Sequence, residues 1–146
     1  MNEEKQLRGQ DGAPPGHEVH REMVDFIDDS TKDFKVKFGV EMSYDPGDPF
    51  AVKARFPNGV EWLFARDLLE EGLVTTSGVG DIRFTPCHSH IECVHIELES
   101  PDGSAFMKAN AWELAEFIER TYDLVPLGTE SSRIDFDLEI ERLVSG

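Results

Sequence analysis

Nine residues near the middle of the chain, CHSHIECVH, hold its densest set of groups that could do chemistry: Cys87, His88, His90, Cys93 and His95. Thiolates and imidazoles are ligands that zinc favours, and a cysteine beside a histidine can also serve as nucleophile and base. The spacing suits neither use well. Structural zinc sites commonly take Cys-x-x-Cys or His-x-x-x-His pairs on tight turns, whereas here five residues separate the cysteines. On a strand, Cys93 and His95 share one face while Val94 and Ile96 turn to the core, so a chelate needs the Cys87–His90 loop to fold back. The cluster is therefore read as loop histidines beside a small half-buried thiol. No metal, cofactor or catalytic residue is assigned, and both cysteines are expected as thiols in a reducing cytosol.

Other catalytic signatures are weaker still. The chain carries no G-x-S-x-G elbow, and Gly78-Val79-Gly80 lacks the Lys-Ser/Thr that completes a phosphate loop. Asp45 and Asp48 flank Pro46 and Gly47 in what reads as a hairpin loop, and two carboxylates fall short of the six to eight oxygens calcium takes. A non-enzymatic protein is expected.

Fourteen basic and thirty acidic residues give a net charge of −16, and the acidic excess is spread along all 146 residues. Such a chain repels polyanions unless a local patch overrides the field, and Lys35, Lys37, Lys53 and Arg55 are the only candidates for one. They also read simply as solvated charges that block edge pairing, so nucleic acid is not an expected partner. The length suits one domain, placed at residues 17–146 behind a flexible tail at 1–16. No run of about 18 apolar residues could span a bilayer, and the first residues lack the apolar segment of a signal peptide, so a cytoplasmic location is expected.

The elements that would position any site follow from periodicity. Phe34 to Tyr44 and Phe50 to Phe56 alternate apolar and polar residues, which predicts a half-buried antiparallel hairpin with Lys53 opposite Glu41. A three-residue loop over Pro57, Asn58 and Gly59 pairs Phe56 with Val60, Ala54 with Trp62 and Arg55 with Glu61. The core face of this ribbon is then Val52, Ala54, Phe56, Val60, Trp62 and Phe64, followed by a short helix, ARDLLEE, ended by Gly72 as a left-handed cap. His20–Ile27 reads as a strand, with a short helix as the alternative, and Val79–Thr85 as another strand. Cys93–Glu99 and Ser104–Ala109 form a hairpin that pairs Leu98 with Met107 and Glu97 with Lys108. Asn110 caps a helix with an apolar stripe of Trp112, Ala115, Ile118 and Tyr122, and a last helix carries Phe136, Ile140, Leu143 and Val144. The fold class is α+β, with antiparallel sheets of about seven strands and two to three helices.

The words GDPFAVKARF, VEWLFARDLLEEGL, GVGDIRF, LESPDGSAF and LVPLGTES followed by DFDLE, in this order and spacing, resemble the SsgA-like proteins, an actinobacterial sporulation and cell-division family. The resemblance runs from about Met23 to Leu143. It implies two packed sheets with helices, like the Whirly and guide-RNA-binding proteins, assembled as a trimeric homo-oligomer. It also implies a non-enzymatic factor at division septa that recruits or stabilises FtsZ, alone or with other family members. The alternative is an oligomeric module that binds single-stranded DNA or RNA. Residues that could meet a partner or another subunit are Leu63 and Phe106, on outer strand faces, and Arg66, Asp67 and Glu70 on the short helix. These three also read as charges that solvate the helix's exposed side.

Overall fold

Period-2 alternation shapes most of the chain. The computed structural model describes residues 18–31, 33, 35–87 and 92–131. Among them eight strands form: β1 (His20–Asp28), β2 (Val36–Tyr44), β3 (Ala51–Arg55), β4 (Glu61–Ala65), β5 (Ser77–Val79), β6 (Ile82–Pro86), β7 (Cys93–Ser100) and β8 (Gly103–Asn110). Two helices, α1 (Arg66–Gly72) and α2 (Ala111–Leu124), follow β4 and β8. The expected tail at 1–16 and the expected helix around Phe136, Ile140, Leu143 and Val144 lie outside the described residues.

The strands lie in the order β4-β3-β2-β1-β8-β7-β6-β5, every neighbour antiparallel, so two four-stranded meanders meet where β1 pairs with β8. That seam is short, Phe26–Asp28 against Met107–Ala109, and Asp29 N–H extends it by donating to the Phe106 carbonyl at 2.7 Å. The expectation of two packed sheets is thus corrected to one continuous sheet. It curls over until the rings of Phe64 on β4 and Phe84 on β6 stand 5.3 Å apart. Val24, Phe26, Val40, Met42, Val52, Ala54, Val94, Ile96 and Met107 fill the space between the halves. Burying each of the larger side chains among them stabilises the fold by about 1.5–3 kcal/mol.

The β3–β4 register is the expected one, with Ala54 opposite Trp62, Arg55 opposite Glu61, and Gly59 at φ 88° in the left-handed region that the loop needs. Val60 is exposed in that loop rather than in the core. Two other registers differ by two residues from expectation. Glu41 faces Arg55, not Lys53, and Glu97 faces Phe106, not Lys108, which stands opposite His95. The β7–β8 turn is Pro101-Asp102, closed by Ser100, whose Oγ accepts from Asp102 N–H and donates to the Gly103 carbonyl, both at 3.2 Å. The segment read as one strand from Val79 to Thr85 is in fact a hairpin, β5 and β6, turning at Gly80.

In α2 the buried stripe differs from the one the sequence suggested, and α1 buries Leu68 and Leu69 as expected but ends differently. Asn110 caps α2 as expected, its Oδ1 accepting from Glu113 N–H at 3.0 Å, but the buried face is Leu114, Phe117, Ile118 and Thr121, and Trp112 is exposed. Gly72 does not cap α1 in a left-handed conformation; it is the last helical residue, and Leu73 caps the helix with φ −77°. Glycine is needed there for closeness, since a Cβ on Gly72 would lie 2.4 Å from Phe84 Cβ. Gly72→Ala should therefore destabilise the protein by about 1–3 kcal/mol. In Gly39→Ala the added Cβ meets only Cε of the exposed Met23 side chain, so stability should stay within about 0.5 kcal/mol of wild type. Urea unfolding of the two variants measures the contrast.

Candidate interaction surface

The helix α1 is only seven residues long and has no side-chain N-cap, so it depends on what it packs against. Leu69 is fully buried, and Arg66 is almost as deeply placed at 1 % exposure. The expectation that Arg66 lies on the outer side of the helix is therefore corrected. Its Nη1 donates to the carbonyls of Thr121 at 3.1 Å and Val125 at 2.9 Å, and Nη2 meets Glu130 Oε2 at 2.7 Å. The guanidinium lies over the rings of Tyr122, 4.1 Å from the centroid, and Tyr44, 5.1 Å. Arg66 recurs on the same helical stripe as Leu69 and Leu73, at i, i+3 and i+7, and that spacing is the signal in the sequence that could have placed it inward.

What α1 leaves outside is Asp67, Glu70 and Glu71; Glu70 accepts from the Tyr122 hydroxyl, and burial, followed by that bond, pushes the phenol's pKa up. On the sheet's outer face Leu63 is 63 % exposed and Phe106 43 %, with Met23, also exposed, on β1 between them in strand order. The five expected contact residues do not gather at one point. Leu63, Asp67 and Glu70 belong to the continuous β4–α1 segment, Phe106 lies on β8 in the other half of the sheet, and Arg66 is inside. The residues of the candidate basic patch stand near carboxylates: Lys35 with Asp29, Lys37 with Asp25 at 3.7 Å, Lys53 with Glu61 at 3.8 Å, and Arg55 directly across from Glu61. At the open end of the curled sheet a groove is floored by Phe38, Phe56, Trp62 and Met107 and edged by Asp28 and Asp102.

The cysteine–histidine segment also differs from expectation. Cys87 and Cys93 are joined as a disulfide rather than held as thiols. The reason is register: β6 and β7 place them directly opposite one another, with Cα atoms 5.4 Å apart, a distance a disulfide spans. His95 lies further along the outer face, and His88 and His90 lie outside the described residues. The Asp45–Asp48 loop is the turn expected of it, with Asp45 Oδ1 accepting from Gly47 N–H at 2.9 Å.

Glu130 is the deepest carboxylate described, at 6 % exposure. Its own backbone N–H, the Arg66 guanidinium and the Gly128 N–H hold its pKa below the ordinary carboxylate value against the opposing effect of burial. A depressed folded pKa contributes stability that is full above the unfolded value, near pH 4.5, and is lost as pH falls through the folded value. Glu130→Gln leaves a buried guanidinium without its counter-charge and should cost about 3–5 kcal/mol at pH 7. Urea unfolding at pH 7 and pH 3 should show the gap to wild type shrinking at the lower pH.

No helix among the described residues is long and apolar enough to cross a membrane. Residues 38–130 match the family model described as Streptomyces sporulation and cell division protein, SsgA. The sporulation-specific cell division protein SsgB of Saccharopolyspora erythraea is 48% identical over 109 residues, covering 72% of this chain and 77% of that protein. SsgB of Streptomyces coelicolor is 45% identical over 109 residues, 71% of this chain and 80% of that protein. The crystal structure of an SsgA-like sporulation-specific cell division protein from Thermobifida fusca superposes with a TM-score of 0.80 at 36% identity, covering 89% of this chain and 98% of that one. The chain belongs to the SsgA family of sporulation and cell division proteins.

Proposed function

We propose that this protein is a non-enzymatic regulator of sporulation-specific division that gathers at septum sites and recruits or stabilises FtsZ. The observation that carries the reading is the likeness to SsgB division proteins over more than two thirds of the chain. In this reading the protein is cytoplasmic, works at septa with FtsZ and other SsgA-like or septum-localising proteins, and assembles as a homotrimer. The exposed side chains of Leu63 and Phe106 supply apolar contact area, and Asp67 and Glu70 flank the first of these with charge. The likeness to the Whirly fold belongs to the same proposal and brings no nucleic-acid binding with it, because fold alone does not transfer function. The pairing of Lys37 with Asp25 and Lys53 with Glu61 supports leaving nucleic acid out.

Co-sedimentation with FtsZ polymers tests the proposal, and sedimentation equilibrium reads the oligomer. A buried apolar anchor is worth about 2 kcal/mol, roughly thirtyfold in Kd. Leu63→Asp and Phe106→Asp should each weaken either trimer formation or FtsZ association by about that factor while leaving the circular dichroism spectrum unchanged. Binding of a single-stranded oligonucleotide at physiological salt with no FtsZ association would replace this reading by its alternative.

A further inference from the structure

Bringing the ligands of CHSHIECVH together needs the chain to turn back after Cys87, and the antiparallel register of β6 and β7 makes it do so. Cys87 lies one pair beyond Pro86 and Val94 in the β6–β7 ladder, and its N–H donates to the Cys93 carbonyl at 3.0 Å. His95 stands two residues beyond Cys93 and so projects from the same side of β7. The two sulfurs and a ring nitrogen of His95 all lie within 4.8 Å of one another. Cys87 is buried at the base of the trio, whereas Cys93 and His95 are half-buried and open to the outer face.

We propose that Cys87, Cys93 and His95 form a redox-controlled zinc site, closed while the disulfide is intact and available once it is reduced. Two thiolates and one neutral imidazole match the donor set and charge that zinc takes in three-ligand sites, with water in the fourth position. The disulfide form cannot serve, because its sulfurs carry no negative charge and their lone pairs are poor donors. Opening the site breaks the Sγ–Sγ bond: a dithiol reductant gives up two electrons and two hydrogens, becomes a disulfide itself, and leaves two thiols on the protein. Binding of Zn2+ then displaces those two protons to solvent.

The neighbours favour a ligand role for His95. Asp29 Oδ2 lies 3.9 Å from its Nδ1, so a carboxylate stands beside the imidazole as an outer neighbour. Lys108 stands across from His95 on β8 and Thr85 on β6, and Lys35 pairs with Asp29, so the surroundings add no competing thiol or imidazole among the described residues. A simple staple between β6 and β7 would need only the two cysteines; the convergence of His95 is what the staple leaves unexplained. The site is independent of the division role, since neither its residues nor its test involves FtsZ.

The experiment titrates Zn2+ into untagged full-length protein, reduced with a phosphine and desalted without oxygen, against a competing chromophoric chelator. Co2+ substitution reports thiolate ligation through its charge-transfer bands. The expected result is one tight site per chain in the reduced protein and none after diamide oxidation. Cys87→Ser and Cys93→Ser should abolish the site and the cobalt charge-transfer band, and His95→Ala should weaken binding by roughly tenfold or more. A His88→Ala/His90→Ala double variant should leave it in place. Absence of a stoichiometric site in the reduced wild type, equal binding by the oxidised protein, or loss of binding only in the His88/His90 variant would each overturn the proposal. The wild-type comparison of reduced and oxidised protein decides the matter even where a variant fails to fold.

Discussion

A buried guanidinium is the constraint on which the rest of this fold depends. Removing a charge from water costs several kcal/mol per ion even after the protein relaxes, so Arg66 can stay inside only if its surroundings replace the water. Glu130, two main-chain carbonyls and the faces of Tyr44 and Tyr122 do so for all but Nε, and they come from three parts of the chain: β2, the end of α2 and the segment beyond it. Tyr44 is itself held by donating its hydroxyl to the Pro49 carbonyl at 2.7 Å, which extends the arrangement to the β2–β3 loop. One side chain thus ties a helix too short to persist alone to β2, to α2 and to the segment beyond α2. Arg66 also explains why a segment rich in charge has a fixed position: with it drawn inward, Asp67 and Glu70 are held outward in a set orientation beside Leu63.

Much of this was legible in the sequence, and the failures share a physical cause. Alternation identifies which face of a strand is buried, and Val40, Met42, Val52 and Ala54 face the core as read, whereas Val36 and Phe50 at the starts of the alternating runs are exposed. Alternation cannot distinguish registers two residues apart, because both keep the same residues on the same face. That is why periodicity leaves the partners of Glu41 and Glu97 open to a two-residue shift, whereas the β3–β4 pairing is fixed by a turn with Gly59 at positive φ. The disulfide is hidden from periodicity for a related reason, since the cysteines face one another only through the register of β6 and β7. In α2 the bulk of Trp112 suggested one stripe, whereas Leu114, Phe117, Ile118 and Thr121 follow i, i+3, i+4, i+7 more closely and are the residues buried. Arg66 broke the rule that charge means surface; only its helical phase relative to Leu69 hinted otherwise.

The outer face carries what the core does not use. It carries both signs of charge, with Lys37 beside Asp25 and Lys53 beside Glu61, and its apolar side chains Met23, Leu63 and Phe106 stand on separate strands. Matched surface pairs add little to stability but fix the local potential close to neutral, which leaves apolar contact and shape as the means of attachment to a protein partner. A face of this kind suits association through a few anchors on a rigid sheet. The groove at the sheet's open end, with Phe38, Phe56 and Trp62 beneath Asp28 and Asp102, continues that pattern of apolar floor and acidic edge.

The central claim is that the protein acts through this outward β4–α1 and β8 surface, held in place by the buried Arg66–Glu130 pair. Amide hydrogen exchange of the full chain, followed with and without assembled FtsZ, tests it most directly. The account predicts added protection in peptides covering Glu61–Gly72 or Gly103–Asn110 while the core strand β1 is unchanged. Exchange that is identical with and without FtsZ in both segments would contradict it.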